Sequence, residues 1–205
     1  MIFIENEIAF EFLKDPKNFN PTITALNSWK LNKSNYMIED ILLEREGSPL
    51  ENEKVGIRLR QQDNRYEITL KKFLGRENKI AKYFELNKPI SKINCLKIKE
   101  GKTDKIKSLY LIKNFYINKL YPFLAIKNRR TKYEYILRKN RIIFYFERVI
   151  YKSKKQRYKE KLLEVEFMTD NNALKNDVIK QIQKKYQLKI VYEGKNIRAK
   201  RYLKL

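Results

Sequence analysis

Charge and apolar residues alternate with a period of two along most of this chain, and that pattern restricts its fold more than any other feature. The stretch Lys161–Phe167 shows it in its simplest form. Read as a strand, it puts Glu164 and Glu166 on one face and Leu163, Val165 and Phe167 on the other. The opening Ile2–Phe12 repeats the arrangement, with Glu5, Glu7, Ala9 and Glu11 opposed to Ile2, Ile4, Ile8, Phe10 and Phe12. In Val55–Arg60 the charged face holds Arg58 and Arg60, against Val55, Ile57 and Leu59. A polar turn at Gln62-Asp63-Asn64 then leads into Arg65–Lys72, a natural hairpin partner with Thr69 and Lys71 opposed to Tyr66, Ile68 and Leu70. Phe123–Tyr135 presents Lys127 and Arg129 together. Arg141–Val149 sets Arg141, Tyr145 and Glu147 against Ile142, Phe144 and Phe146.

The intervening segments read less clearly. Asp15-Pro16 and Asn20-Pro21 break the first strand, and residues 22–32, around Leu26, Trp29 and Leu31, suggest a short helix. Tyr36–Arg45 reads as a strand closed by Gly47-Ser48-Pro49. Residues 76–86 place Ile80, Tyr83 and Phe84 at helical spacing, and 89–121 reads as partly helical around Gly101. Ser153–Glu160 is a charged excursion. Asn171–Tyr186 is an amphipathic helix with Leu174, Val178 and Ile182, followed by a short strand, Leu188–Tyr192, and a basic tail, Gly194–Arg201. Without an internal repeat or a Pro/Gly/Ser linker, residues 1–205 read as a single domain.

Charges are segregated by strand: acid pairs near the two ends of the chain, basic pairs between them. Two architectures accommodate this. An ordinary sheet or sandwich buries the apolar faces and wets the charges. Alternatively the sheet closes on itself with the charges inward and helices over its apolar outside, an arrangement that requires paired charges or a bound ion and polyanion. The balance of 47 Lys+Arg against 24 Asp+Glu, a net +23, calls for polyanionic company, although a lysine-rich genome inflates such a figure without functional cause. A single cysteine, Cys95, and the absence of histidine exclude disulfide frameworks, Cys/His zinc clusters and imidazole bases. No long uncharged apolar run is present, so the expectation is a soluble, intracellular protein without a membrane partner.

The order of the charged pairs resembles that of the triphosphate tunnel metalloenzymes, the CYTH superfamily. Glu5/Glu7, Arg58/Arg60, Thr69/Lys71, Lys127/Arg129, Glu147 before Val149 and Glu164/Glu166 follow one another as the family's motifs do. The segment Lys195–Ala199 is similar to its C-terminal basic stretch. Three positions depart from the family pattern: Ala9 in place of a lysine, Leu162 in place of an outermost glutamate, and Glu147 in place of an aspartate. The resemblance implies a β-rich α+β fold, a closed eight-stranded antiparallel barrel with helices packed outside and the charges within. It also implies Mg²⁺ or Mn²⁺ held by Glu5, Glu7 and Glu166, phosphate gripped by Arg58, Arg60, Lys71, Lys127, Arg129 and Lys195, and an attacking water oriented by Glu164 or Glu147. Glu11 is expected in a structural role.

Within that family, the basic excursion before Glu164 and Lys127-Asn128-Arg129 followed by Thr131 are similar to the mRNA-capping RNA 5′-triphosphatases of fungi, protists and some viruses. That branch implies an RNA 5′-triphosphate end as substrate and a guanylyltransferase partner. It also implies a nuclear location if the chain serves capping in a eukaryote, and a cytoplasmic one otherwise. Arg58-x-Arg60 with Thr69-x-Lys71 resembles the branch that hydrolyses inorganic tripolyphosphate, thiamine triphosphate or nucleoside triphosphates. ATP cyclisation ranks behind both. A non-catalytic RNA-binding module is the reading from another class, and it has no use for four glutamates on two strands.

Overall fold

The computed structural model describes residues 2–16, 19–47, 49–103, 106, 120–153 and 156–204. Among these residues, nine strands and three helices run in the order β1 (Ile2–Phe12), β2 (Lys30–Arg45), β3 (Val55–Gln62), β4 (Arg65–Glu77), β5 (Ile80–Pro89), α1 (Lys92–Lys99), β6 (Leu120–Leu137), β7 (Asn140–Lys152), β8 (Arg157–Met168), α2 (Asn172–Tyr186), β9 (Leu188–Val191) and α3 (Lys195–Leu203). Every pairing is antiparallel. The sheet order is β5-β4-β3-β2-β6-β7-β8-β1, and β1 returns to pair with β5, so eight strands close into a barrel. β9 continues the wall beside β1 from Ala9 to Phe12, where β5 has ended.

Closure sorts the two faces of each strand. Outward-facing Ile8, Phe10, Phe144, Phe146, Leu163 and Val165 pack under Val178 and Ile182 of α2, whose first turn is capped by Asn171, its Oδ1 accepting from the Leu174 N–H at 2.9 Å. Outward Val55, Ile57, Leu59, Ile68 and Leu70 pack with Cys95 and Ile98 of α1, which Ser91 caps. A third apolar cluster lies inside one end of the barrel. Leu124, Ile126, Val149, Tyr151 and Leu162 point inward there and meet Ala199 and Leu203 of α3, which therefore lies across that mouth. The apolar filling at this end confines the charges to the rest of the lumen. Among the described residues no helix is long and apolar enough to cross a membrane.

Several local expectations change. Residues 22–32 hold only a 3-10 turn, Thr24–Leu26, before β2 begins at Lys30, because pairing with β6 starts at once, Lys30 opposite Ile136. Residues 76–86 form the β4–β5 hairpin instead of a helix. The reason is plain: Ile80 and Phe84 are four apart, a separation that keeps two side chains on one face in either period. Asn78 and Lys79 both take positive φ, 46° and 73°, as a tight two-residue hairpin turn demands. Helix is present in 89–121 as α1; residues 104, 105 and 107–119 of that expectation lie outside the described residues. From Arg157 onward the charged excursion belongs to β8.

Candidate active site

Each inward side chain is set by its strand's parity. β1 directs Glu5 and Glu7 into the lumen, β8 directs Glu164 and Glu166, and the β1–β8 ladder sets Glu7 opposite Glu166 and Ala9 opposite Glu164. Glu5, Glu7 and Glu166 each offer a carboxylate oxygen, and these atoms lie within 4.8 Å of one another. The Lys71 ammonium, from β4, reaches Glu5 at 2.5 Å and Glu7 at 2.7 Å and stands 4.3 Å from the Tyr83 ring centre.

Crowding three carboxylates divides their ionisation. Burial would raise Glu5, but Lys71 outweighs it and holds the group at about 2. Burial also raises Glu7, and there it prevails: Lys71 opposes it, Glu164 and Glu5 reinforce it, and the result is about 7. Glu166 is raised well above its ordinary value by burial and then by Glu5. A set of hard oxygen donors that resists full ionisation suits a divalent cation of the Mg²⁺ or Mn²⁺ kind, whose charge would relieve the repulsion.

Glu164 behaves differently. Burial raises it, but Lys195, at 2.8 Å, and Arg130, at 3.4 Å, together hold it well below the usual carboxylate range. Glu147 is fully buried, and its carboxylate accepts from Asn128 Nδ2 at 2.7 Å and pairs with Arg130 at 2.5 Å and with Lys195 at 2.8 Å. Fully buried and contacted by these three donors, Glu147 orients Arg130 and Lys195. Lys195 in turn joins the start of α3 to both glutamates, so its ammonium is engaged with protein carboxylates.

The basic residues fall into three groups. Arg58, on β3, lies no closer than 3.8 Å to Glu85 and 4.0 Å to Asp40, and its buried Nε has no hydrogen-bond partner; nor has the buried Oγ1 of Thr69 directly across the β3–β4 ladder. Arg60 is held by Asp40 through two bonds, Nε to Oδ1 at 2.8 Å and Nη2 to Oδ2 at 2.9 Å. Lys127 and Arg129 face outward, exposed to solvent, and do not meet the site. The inward positions of β6 are Asn128, Arg130 and Lys132. Consecutive basic residues, Arg129-Arg130, make either parity of β6 look charged, which is why the sequence pointed at the wrong face.

Sequence reasoning missed Arg130, Asp40 and Glu85, all buried in the lumen. A signal for Asp40 was present. It stands between Ile38 and Leu42 on one strand face, a place where an acid needs a cation partner. Together these residues line a cavity of about 650 Å³.

The CYTH domain family profile matches residues 5–199. The chain belongs to the CYTH family. Among solved structures, the CYTH fold here is similar to a candidate adenylyl cyclase from Hippeastrum, described as having a dominant triphosphatase activity. That likeness has a TM-score of 0.64 and 13% identity, over 93% of this chain and 91% of that one. A candidate adenylate cyclase from Bacillus halodurans is similar at a TM-score of 0.59 and 15% identity, over 80% of this chain and 82% of the other. No curated protein matches the chain by sequence. CYTH membership accounts for the closed barrel and for a triphosphate-tunnel activity in its lumen.

Proposed function

We propose that this CYTH protein hydrolyses the terminal phosphate of a triphosphate inside the barrel, and that its substrate is the 5′-triphosphate end of RNA, as in mRNA capping. The observation that carries hydrolysis is one cavity holding the Glu5/Glu7/Glu166 cluster beside Lys71 and an Arg58 guanidinium with an unpartnered Nε. When bound, Mg²⁺ or Mn²⁺ supplies charge neutralisation at the terminal phosphate. Glu5, Glu7 and Glu166 would hold that cation.

Arg58 then donates its fork of N–H groups to phosphate oxygens, with Thr69 hydroxyl as a further donor from across the ladder. Lys71, freed from its carboxylates, serves the same phosphates as a point charge. Arg130 adds positive charge beneath the site and is aimed by Glu147. Glu164, kept ionised by Lys195 and Arg130, accepts a hydrogen bond from the attacking water at Oε1 and aligns it opposite the leaving group. The water oxygen bonds to phosphorus as the bridging P–O bond breaks, and diphosphate at the RNA end carries away the electron pair.

The +23 surplus supports RNA as the substrate, since it raises the local concentration of a polyanion at any mouth of the barrel. A guanylyltransferase partner follows from the same reading, as does a nuclear or cytoplasmic site of action. Small triphosphates are the second reading, favoured by α3 lying across one mouth, which leaves a cavity of compact size. Phosphate release from triphosphate-ended RNA, tripolyphosphate and thiamine triphosphate, with Mg²⁺ and with Mn²⁺, separates the two. RNA as the best substrate upholds the first; rapid tripolyphosphate turnover with inert RNA replaces it by the second.

A further inference from the structure

The outer wall of the barrel is covered unevenly. Around Tyr133, Phe144 and Val165 the strands β6, β7 and β8 lie under α2, and α1 reaches β6 near Leu120; among the described residues neither α1 nor α2 packs with Val149–Lys152 of β7 or Arg157–Lys161 of β8. On and beside that stretch, like charges stand directly opposite each other: Arg129 faces Arg148, Arg148 faces Lys161, and Lys152 faces Arg157. Such pairs destabilise a sheet. Among the described residues two acids reach this wall, Glu39 from β2 at 3.7 Å from Lys127, and Asp15, which pairs with Lys161. Among the described residues no carboxylate comes within ion-pair reach of Arg129, Arg148, Lys152, Arg157 or Lys159, all of them exposed. A concavity of about 560 Å³ runs here, lined by Ile41, Ala125 and Ile150 and by Lys127, Lys152 and Arg157.

We infer that this wall binds the sugar–phosphate backbone of single-stranded RNA. The Cβ atoms that carry opposed cations stand about 5 Å apart across the strands, and alternate positions about 6.7 Å apart along them. A flexible chain of phosphates can follow that lattice, and binding it removes the repulsion the fold carries alone. Apolar Ile41, Ala125 and Ile150 in the concavity give base faces a dry surface, as single-strand sites do. A concave strip between strands suits a chain better than a flat lipid surface. The occupant, though not the wall, is taken from the RNA-end reading; these side chains point away from the lumen, so the wall holds the body of an RNA and the tunnel its end.

Fluorescence anisotropy of a short 5′-hydroxyl oligoribonucleotide over a salt series tests this without any triphosphate. The proteins compared are the wild type and the R148Q/K152Q/R157Q variant. The variant is expected to bind roughly tenfold or more weakly at low salt, with a log–log salt slope shallower by about 2, since each lost single-strand phosphate contact removes about 0.7. Its tripolyphosphate turnover should stay at the wild-type level and its Tm should hold or rise, because like charges have been removed. The charge-conserving R148K/K152R/R157K variant should restore binding. Unchanged affinity and slope in the first variant, no rescue by the second, or tighter wild-type binding to phosphatidylserine vesicles than to the oligoribonucleotide would overturn the inference. Absent phosphate release from both tripolyphosphate and triphosphate-ended RNA, alongside wall-dependent RNA binding, would instead overturn the hydrolytic reading.

Discussion

At the scale of single residues, Arg58 and Glu7 do opposite things for the same site. Arg58 keeps part of its donor capacity unspent, so its loss is felt in substrate and not in folding. Arg58→Ala should lower kcat/KM by roughly 100-fold, and Arg58→Lys by roughly tenfold, because an ammonium cannot match two phosphate oxygens at once. Steady-state kinetics with tripolyphosphate checks both. Glu7 carries a cost until a cation arrives. Its folded value, about 7, stands above its ordinary 4.5, so the folded state holds a proton that the unfolded chain releases between those values. That contribution to stability is complete below about 4.5 and is lost as pH rises through about 7; Glu166 acts in the same direction. Glu5, held at about 2, acts oppositely, its contribution being lost only as pH falls towards 2. Saturating Mg²⁺ should therefore raise Tm more at a pH above 7 than at a pH near 5, by differential scanning fluorimetry. An equal increment at both would contradict this reading of the cluster.

At the scale of elements, β6 shows what a sequence conceals. Its period of two is legible, but Arg129-Arg130 and Lys132 give both faces cations, and only the ladder with β7, which sets Arg130 opposite Glu147, decides which face is inside. Arg130→Ala should cut tripolyphosphate turnover by roughly 100-fold, whereas Arg129→Ala should leave it at the wild-type level. The reverse result would place β6 one residue out of register. β5 was hidden for a related reason, since Ile80 and Phe84 share a face in a helix and in a strand alike. α3 is the element whose role the basic tail did not disclose. Its Arg198 is buried, bonds to Glu160 through Nε at 3.2 Å and through Nη2, and approaches Glu11. Arg198→Met leaves buried Glu160 without its cation, so the variant should lose about 3–5 kcal/mol of stability, read from its urea midpoint.

At the scale of the whole molecule, the candidate metal cluster was more legible than the barrel that assembles it. Glu5, Glu7 and Glu166 stand out because two strands far apart in sequence each place carboxylates on one face, with apolar residues behind them. Closure leaves no such local mark, since a sandwich and a barrel share the same alternation; the pairing of β1 with β5 that seals the wall is a long-range fact. The order of charged pairs, read as a family resemblance, supplied what periodicity could not, and the profile match over residues 5–199 agrees with it. The central claim is that the three clustered glutamates act together on a triphosphate. Its most direct test is Mg²⁺-dependent phosphate release from triphosphate-ended RNA and from tripolyphosphate by the wild type, Glu5→Gln and Glu166→Gln, each checked for folding by circular dichroism. The account predicts that wild-type release requires the cation and that each folded variant loses it by at least about 100-fold. Cation-independent release, or full activity in either variant, would contradict it.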